Sequence, residues 1–335
     1  MKTLIIAEAG VNHNGDIDIA YRLCDAAKEA GADVIKFQTW KTENLITKSV
    51  AQAKYQSDNT GITESQFDMI KKLELTYDEF GKLKEYCDGI GIEFASTADE
   101  AESLDAVIKL GVRFLKVGSG EIGNIPYLRY IGSKKMPVIL STGMSTLGDV
   151  DLSVNALRQG GASDITLLHC TTNYPCPPEA VNLRAMCTLR DAFKCPVGYS
   201  DHTEGYEAAV MAVSMGASVL EKHFTLDRNM QGPDHKASAD VMEFKQYVKA
   251  VRRAENMLGD GVKRPAGDED EVSKVVRKRI VASRPIKKGS VITGDDIVTK
   301  RSDEGIGAAY WDIVRGSVSD KDYGTDQGIS LNRPE

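Results

Sequence analysis

Between Thr3 and Phe224, short apolar runs, many of them β-branched, alternate with longer stretches of helical periodicity. Eight such runs are LIIAEA, DVIKFQ, IEFAST, RFLKVG, PVILST, ITLLHC, PVGYS and SVLEKHF. Near-continuous apolar strands separated by helices predict a parallel sheet covered on both faces, and eight of them predict a closed (β/α)8 TIM barrel of the α/β class. An open doubly wound sheet is the alternative. Against it, AEAGVNHNG after the first run lacks the GxGxxG spacing of a dinucleotide fingerprint. About residues 41 to 76 exceed what a plain βα connection needs, which predicts an extra helix and a lid-like loop. After the amphipathic EFKQYVKAVRRAENMLG the pattern turns polar and charged, and then gives way to short strands with turn signals. The expected division is a barrel over 1–258, a linker or exposed arm over 259–276 and a small β-rich domain over 277–335.

Composition narrows the function classes. With 335 residues, 41% hydrophobic and 27% charged, and a formal charge of −7, the chain has no basic surplus for nucleic acid. The apolar start of MKTLIIAEAG passes at once into Asn12, His13 and Asn14, too short for a signal peptide or a span, so no membrane partner and a cytoplasmic location are expected. The six cysteines form no CxxC, which suits free thiols and excludes a zinc ribbon.

In a barrel the reacting groups gather at the carboxyl ends of the strands. Those ends hold Glu8; Lys36 and Gln38; Ser96 and Thr97; Lys116, Ser119 and Glu121; Ser141; Thr171 and Thr172; Ser200 and His202; and His223. A solvated rim accounts for any one of them singly, but not for polar residues at all eight ends.

Three of the five histidines lie between Val197 and Ser238. His202 and His223 each close a strand pattern, with a helical pattern between, so two imidazoles on neighbouring parallel strands can share one metal ion. The plain reading of each is a hydrogen-bonded core or rim histidine. Two protein ligands leave positions for water and a substrate oxygen, which suits a manganese-like ion acting as a Lewis acid, with magnesium, zinc or iron as alternatives. Glu8, Glu121 and Asp234 are the carboxylates available for proton transfer or for a sugar hydroxyl. Lys36 and Lys116, with the hydroxyls and glycines of KVGSGE and STGMS, form a phosphate and carboxylate cradle. A lysine at a strand end serves instead as a Schiff-base nucleophile in an aldolase reading, which a carbonyl-activating metal makes unnecessary.

AEAGVNHNG, KFQT, LKVGSGE, LSTGM, HCTTNYPCP, GYSDHT, EKHFT and GPDHKAS together resemble the sialic acid synthase family, and the resemblance runs through essentially the whole chain. The tail from Arg279 resembles that family's antifreeze-like (SAF) domain, with KRSDEGIG in place of KRPGxGI. The resemblance implies condensation of phosphoenolpyruvate with N-acetylmannosamine or a related acetamido hexose, with C–O cleavage and release of phosphate. A diacetamido-trideoxy hexose, giving legionaminic or pseudaminic acid, is the alternative substrate. It further implies a divalent metal, Mn2+ first, on His202 and His223. Phosphoenolpyruvate falls to Lys36, Lys116, Ser119, Ser141 and Ser200, the sugar to Glu8, Tyr174, Asp234 and Arg301, and proton transfer to Glu121. A domain-swapped homodimer, which brings Arg301 to the barrel of the other chain, is implied as well. His13 and His235 match no role.

Two departures stand out. Thr172 occupies the place of the family's asparagine, with Asn173 beside it, and DYGTDQGISLNRPE lacks the usual basic residue before the last glycine. Synthases acting on phosphorylated aldoses would need a second basic pocket and no tail domain. A non-catalytic carbohydrate-binding protein would have no use for a metal site and a phosphate cradle together.

Overall fold

A computed structural model describes residues 2–50 and 65–330. Eight parallel strands, β1 (Leu4–Gly10), β2 (Val34–Thr39), β3 (Glu93–Ala98), β4 (Leu115–Val117), β5 (Val138–Ser141), β6 (Ile165–Cys170), β7 (Val197–Asp201) and β8 (Val219–His223), close into a barrel in sequence order. Closure comes from β8 against β1, with Leu4 opposite Val219 and Glu8 opposite His223. The expected barrel is therefore the observed one.

Side chains alternate across each strand, so every second residue faces the barrel axis. One inward layer is Ile6, Val34, Ala95, Phe114, Ile139, Leu168 and Val219, which form a closed apolar cluster. β7 supplies Gly198 at this level, where a Cβ would lie 2.3 Å from the Val219 carbonyl oxygen and 2.6 Å from a Leu168 methyl. The absent side chain lets the large neighbours fill the axis.

The helices α1 (Ile17–Ala30), α2 (Thr42–Leu45), α3 (Gln66–Leu73), α4 (Tyr77–Ile90), α5 (Ala101–Lys109), α6 (Ile125–Ser133), α7 (Leu147–Gly160), α8 (Arg184–Phe193), α9 (Glu207–Ser214) and α10 (Val241–Leu258) connect and follow the strands. Local chemistry fixes their ends. Asp16 accepts from the N–H groups of Asp18 and Ile19 to start α1, and Thr146 with Asp149 closes a capping box on α7. The expected insertion contains two short helices, α2 and α3, and its residues 51–64 lie outside the described residues. Among the described residues no helix is long and apolar enough to cross a membrane.

The chain divides into compact units over Met1–Gly259 and Asp260–Glu335. The stretch expected to be a linker is only partly irregular, because Glu269–Val276 forms an exposed helix, α11, with Glu269, Asp270 and Glu271 in its first turn. Acidic residues there complement the helix dipole. The second unit pairs β9 (Lys278–Ala282) with β10 (Ile297–Arg301) antiparallel. It has its own core, centred on Ile280, Ile286, Ile292, Val314, Tyr323 and Ile329.

Candidate active site

Two residues along from the apolar layer, the same strands place Glu8, Lys36, Thr97, Lys116, Ser141, Cys170, Ser200 and Glu221 on the wall of one cavity of about 300 Å³. Gln38, Asp99, Gly118, Thr172, His202 and His223 follow one pleat higher, joined by Ser119, Tyr174 and Asp234 from the loops. Ten of the residues expected at the site, Glu8, Lys36, Lys116, Ser119, Ser141, Tyr174, Ser200, His202, His223 and Asp234, thus meet in one place.

Three expectations fare differently. Ser96 faces away from the axis, its hydroxyl 2.7 Å from that of Thr39, because it is out of phase with Thr97. Glu121 stands on a turn of 3-10 helix, half-buried and outside the cavity wall, accepting from Asn124 at 2.6 Å. Arg301 is exposed on β10, in the other unit.

A chain of buried charges crosses the cavity floor. Lys36 Nζ lies 2.6 Å from Glu8 Oε2 and donates to Thr97 Oγ1 at 2.7 Å. Glu221 sits between the two lysines, 3.9 Å from Lys36 and 3.5 Å from Lys116, and Lys116 donates to Ser141 Oγ at 2.8 Å. Gln38 donates to the other Glu8 oxygen at 2.8 Å. Burial, followed by the Coulombic effect of the neighbours, pushes these groups off their ordinary values. The Glu8 carboxyl is pushed up to about 7, burial and Glu221 outweighing Lys36. Burial holds Lys116 below the usual lysine range, and the Lys36 charge adds to it. Asp99 is also pushed up to about 7, by burial and then by the Glu121 charge.

Glu221 and Asp99 did not figure among the residues expected from the sequence, yet the alternation contains both. Glu221 is two residues before His223 and Asp99 two after Thr97, so each shares its strand's inward face. The Ser119 hydroxyl accepts from the Gly143 N–H at 2.9 Å. A Cβ on Gly143 would fall 2.3 Å from Thr172 Oγ1 and 2.9 Å from Ser119 Oγ, so a side chain there would displace the hydroxyls that line the cavity. Thr172 lines the cavity and Asn173 is exposed, so the hydroxyl stands in the wall and the neighbouring amide does not.

On the opposite side the rings of His202 and His223 lie 5.4 Å apart, and Tyr174 stands 4.2 Å from the first and 5.4 Å edge-on from the second. His202 Nδ1 is 2.8 Å from the Thr171 carbonyl oxygen, so it carries the proton and leaves Nε2 as the lone-pair donor. His223 is held well below the ordinary imidazole range, first by burial and then by the His202 charge, and stays in the neutral form that ligates. Asp234 Oδ2 is 3.9 Å from His223 Nδ1. No cluster of three or more His, Cys, Asp or Glu in ligand positions occurs among the described residues. Two imidazoles with one carboxylate nearby do not make a closed structural zinc site, and as donors they would leave an ion positions for water or substrate oxygens.

His13 and His235 brace this site from behind. His235 Nε2 donates to Asn14 Oδ1 at 3.2 Å, and its Nδ1 accepts from Thr225 Oγ1 at 2.7 Å. Asn12 donates to the Phe224 carbonyl at 2.9 Å and to Ser238 Oγ at 2.8 Å, and Ser238 in turn donates to the Asp234 carbonyl at 2.7 Å. Buried His13 accepts from the Gly15 N–H at 3.0 Å and closes the turn. The loop after β1 thus clasps the loop that carries Asp234. Burial brings both histidines down to about 4, so the clasp carries no charge at neutral pH.

The model of the NeuB family matches residues 23–263, most of the chain and nearly all of the barrel. The chain belongs to the NeuB family. An SAF domain matches residues 277–333. The chain is similar to the N,N'-diacetyllegionaminic acid synthase of Campylobacter jejuni, 45% identical over 98% of this chain and 99% of that one. The enzyme of the same name from Legionella pneumophila is 46% identical, over 95% and 90% respectively. Among solved structures, the N-acetylneuraminic acid (sialic acid) synthetase of Leptospira borgpetersenii, in complex with citrate, superposes with a TM-score of 0.71 at 33% identity, over 81% of this chain and 90% of that one.

Proposed function

We propose that this NeuB-family chain is a phosphoenolpyruvate-dependent sugar-acid synthase that makes a nonulosonic acid from an acetamido hexose. The observation that carries the reading is one cavity with two buried ammonium groups on one side and two imidazoles, 5.4 Å apart and beside a carboxylate, on the other. Lys36 and Lys116, with the hydroxyls of Ser119, Ser141 and Ser200, suit the phosphate and carboxylate of phosphoenolpyruvate. Glu8, Tyr174 and Asp234 hold the sugar. His202 and His223 hold a divalent ion, Mn2+ in the first place and Mg2+ as an alternative. When bound, that ion supplies Lewis acidity at the sugar's aldehyde oxygen.

In the reaction C3 of phosphoenolpyruvate forms a bond to the aldehyde carbon and water adds at C2. The C2–O bond then breaks and phosphate leaves with its electron pair. The water gives up both its protons, one to the new hydroxyl and one to the departing phosphate as C2 becomes a carbonyl, so a carboxyl that titrates near neutrality suits the transfer. Glu8, pushed up to about 7, is such a group.

The C. jejuni and L. pneumophila relatives favour a diacetamido-trideoxy hexose over N-acetylmannosamine as the acceptor. The test is phosphate release from phosphoenolpyruvate with a panel of acetamido hexoses, with mass spectrometry of the product and oxygen-18 in the bridging position. Label must appear in the phosphate. Label retained in the sugar acid, or no release with any acetamido hexose, overturns the reading. We also propose a cytoplasmic, domain-swapped homodimer in which the partner's Arg301 reaches an acetamido oxygen of the sugar. Arg301→Ala and His202→Ala chains, each inactive alone, should then regain activity as mixed dimers. Inactive heterodimers would count against the swap.

A further inference from the structure

Each histidine follows a charged residue at the end of its strand, Asp201 closing β7 just before His202 and Lys222 preceding His223 on β8. Alternation turns the imidazoles toward the cavity and sends Asp201 and Lys222 the other way. Asp201 and Lys222 are register partners, the last ones shared by these strands, so the backbone ladder between β7 and β8 stops at this level.

Here the ladder is continued by side chains. Lys222 Nζ lies 3.4 Å from Asp201 Oδ2, with the two side chains 7% and 0% exposed. The same ammonium donates to the Thr203 carbonyl at 2.6 Å. Asp201 Oδ1 accepts from the Thr203 N–H at 2.9 Å and from its hydroxyl at 2.7 Å. The three residues, Asp201, Thr203 and Lys222, therefore form a closed ring of contacts on either side of His202 in the chain. Tyr247 of α10 roofs it, its ring 5.2 Å from the ammonium. Asp201, Thr203 and Lys222 lie outside the wall of the cavity that holds the histidines.

A buried ion pair is a poor way to stabilise a core, because desolvation cancels most of the attraction and an apolar pair of similar size serves as well. A device that fixes geometry is different, since a bound ion needs its ligands within about half an ångström of their working positions. We infer that the Asp201–Lys222 pair, with Thr203, is a positioning device that sets the spacing of His202 and His223 for a divalent ion. The inference rests on the proposed metal site and goes beyond it by naming what holds the ligands in place.

The test compares metal-free wild type with Asp201→Leu/Lys222→Met, which replaces the pair by apolar side chains. Mn2+ binding is read from the loss of the free-ion paramagnetic resonance signal, and folding from the melting temperature. Phosphoenolpyruvate binding without metal is followed by calorimetry. The double variant should melt close to wild type and bind phosphoenolpyruvate unchanged, while its Mn2+ affinity falls about 10- to 100-fold. Should it fail to fold, Asp201→Asn/Lys222→Gln keeps the shapes and removes the charges, and the same loss of affinity is expected. If a folded variant binds Mn2+ as tightly as wild type, the inference is overturned while the metal site stands. If wild type takes up no Mn2+, the metal reading fails and the inference falls with it.

Discussion

Two levels of the same barrel, one pleat apart, differ in every respect that matters. At one, Ile6, Val34, Phe114, Ile139, Leu168 and Val219 interlock with no polar atom among their side chains. At the next, Glu8, Lys36, Lys116, Cys170, Ser141 and Glu221 occupy the corresponding positions on those strands, again buried. The apolar level is stabilised by removal of surface from water. The polar level buries opposed charges close together, which leaves the Glu8 carboxyl near 7 and Lys116 below its ordinary range. Beyond the apolar level, at the amino-terminal end, the charges are placed otherwise. Burial works against the Asp33 charge, but Lys2, the Ile5 N–H and Arg252 outweigh it and hold that carboxyl below its usual range. The contrast teaches that this fold keeps its stability at one end and its electrostatic stress at the other, where a charged substrate can relieve it.

The largest effect expected from this division is at the metal face. His223→Ala should lower turnover roughly a thousandfold, in line with loss of a major electrostatic stabiliser of the transition state. Its melting temperature should stay within a degree or two of wild type, and a chelator should reproduce the loss. A comparable loss of stability would mean that the two ends are not separable.

Next in size is the mirror experiment at the apolar layer. Ile139→Ala removes buried methyl and methylene groups from a close-packed layer and should cost about 3 kcal/mol. Thermal melting should fall by several degrees while turnover of the folded enzyme is kept. If phosphate release per folded molecule falls in proportion, packing at the base governs the site as well.

Much of this is legible in the sequence alone. Eight apolar runs with polar carboxyl ends imply the barrel, and ten expected site residues meet in one cavity because strand ends converge. What escaped has a physical reason. Polar strand ends taken without phase include Ser96, which points outward, and omit Glu221, which shares a face with His223. Asp99 lies just past its strand, where run length alone gives no boundary. The role of His235 is not legible because its bond to Asn14 joins loops more than two hundred residues apart, and that of His13 is not because its bond to the Gly15 N–H is local to one turn. Glu269–Val276 read as linker because its charged surface hides a helix that buries none of its residues.

A third effect separates the levels by pH. Asp99 is raised in the folded state to about 7, so its contribution to stability is complete below the ordinary carboxylate range and is lost as pH rises through 7. Asp99→Asn cannot ionise. The variant should therefore gain on wild type as pH rises from 5 to 8, by a few degrees in melting temperature. Glu8 titrates in the same window and its charge acts on Asp99, so the comparison is repeated on a Glu8→Gln background to isolate Asp99. A difference that stays constant across the window would show that Asp99 is ionised throughout.

The smallest effect lies at the amino-terminal end and tests whether that end is silent in catalysis. Arg252 on α10 donates to the Thr3 carbonyl at 2.8 Å and to both Glu255 oxygens at 3.1 Å, and it also pairs with Asp33. It thereby ties the last barrel helix to the start of β1, while Asp33 accepts from the Ile5 N–H at 2.9 Å. The Arg252 side chain is 25% exposed, so solvent screens these contacts and each contributes modestly. Arg252→Lys keeps the charge but loses the planar fork that reaches three acceptors at once. It should cost about 0.5–1 kcal/mol, in the range of exposed pairs, with part of that loss masked at high salt. Turnover and Mn2+ affinity should not change, because the apolar layer lies between this network and the charged floor. A lysine variant that folds normally yet turns over more than threefold slower would show that strain passes through that layer, and would end the division between the two ends.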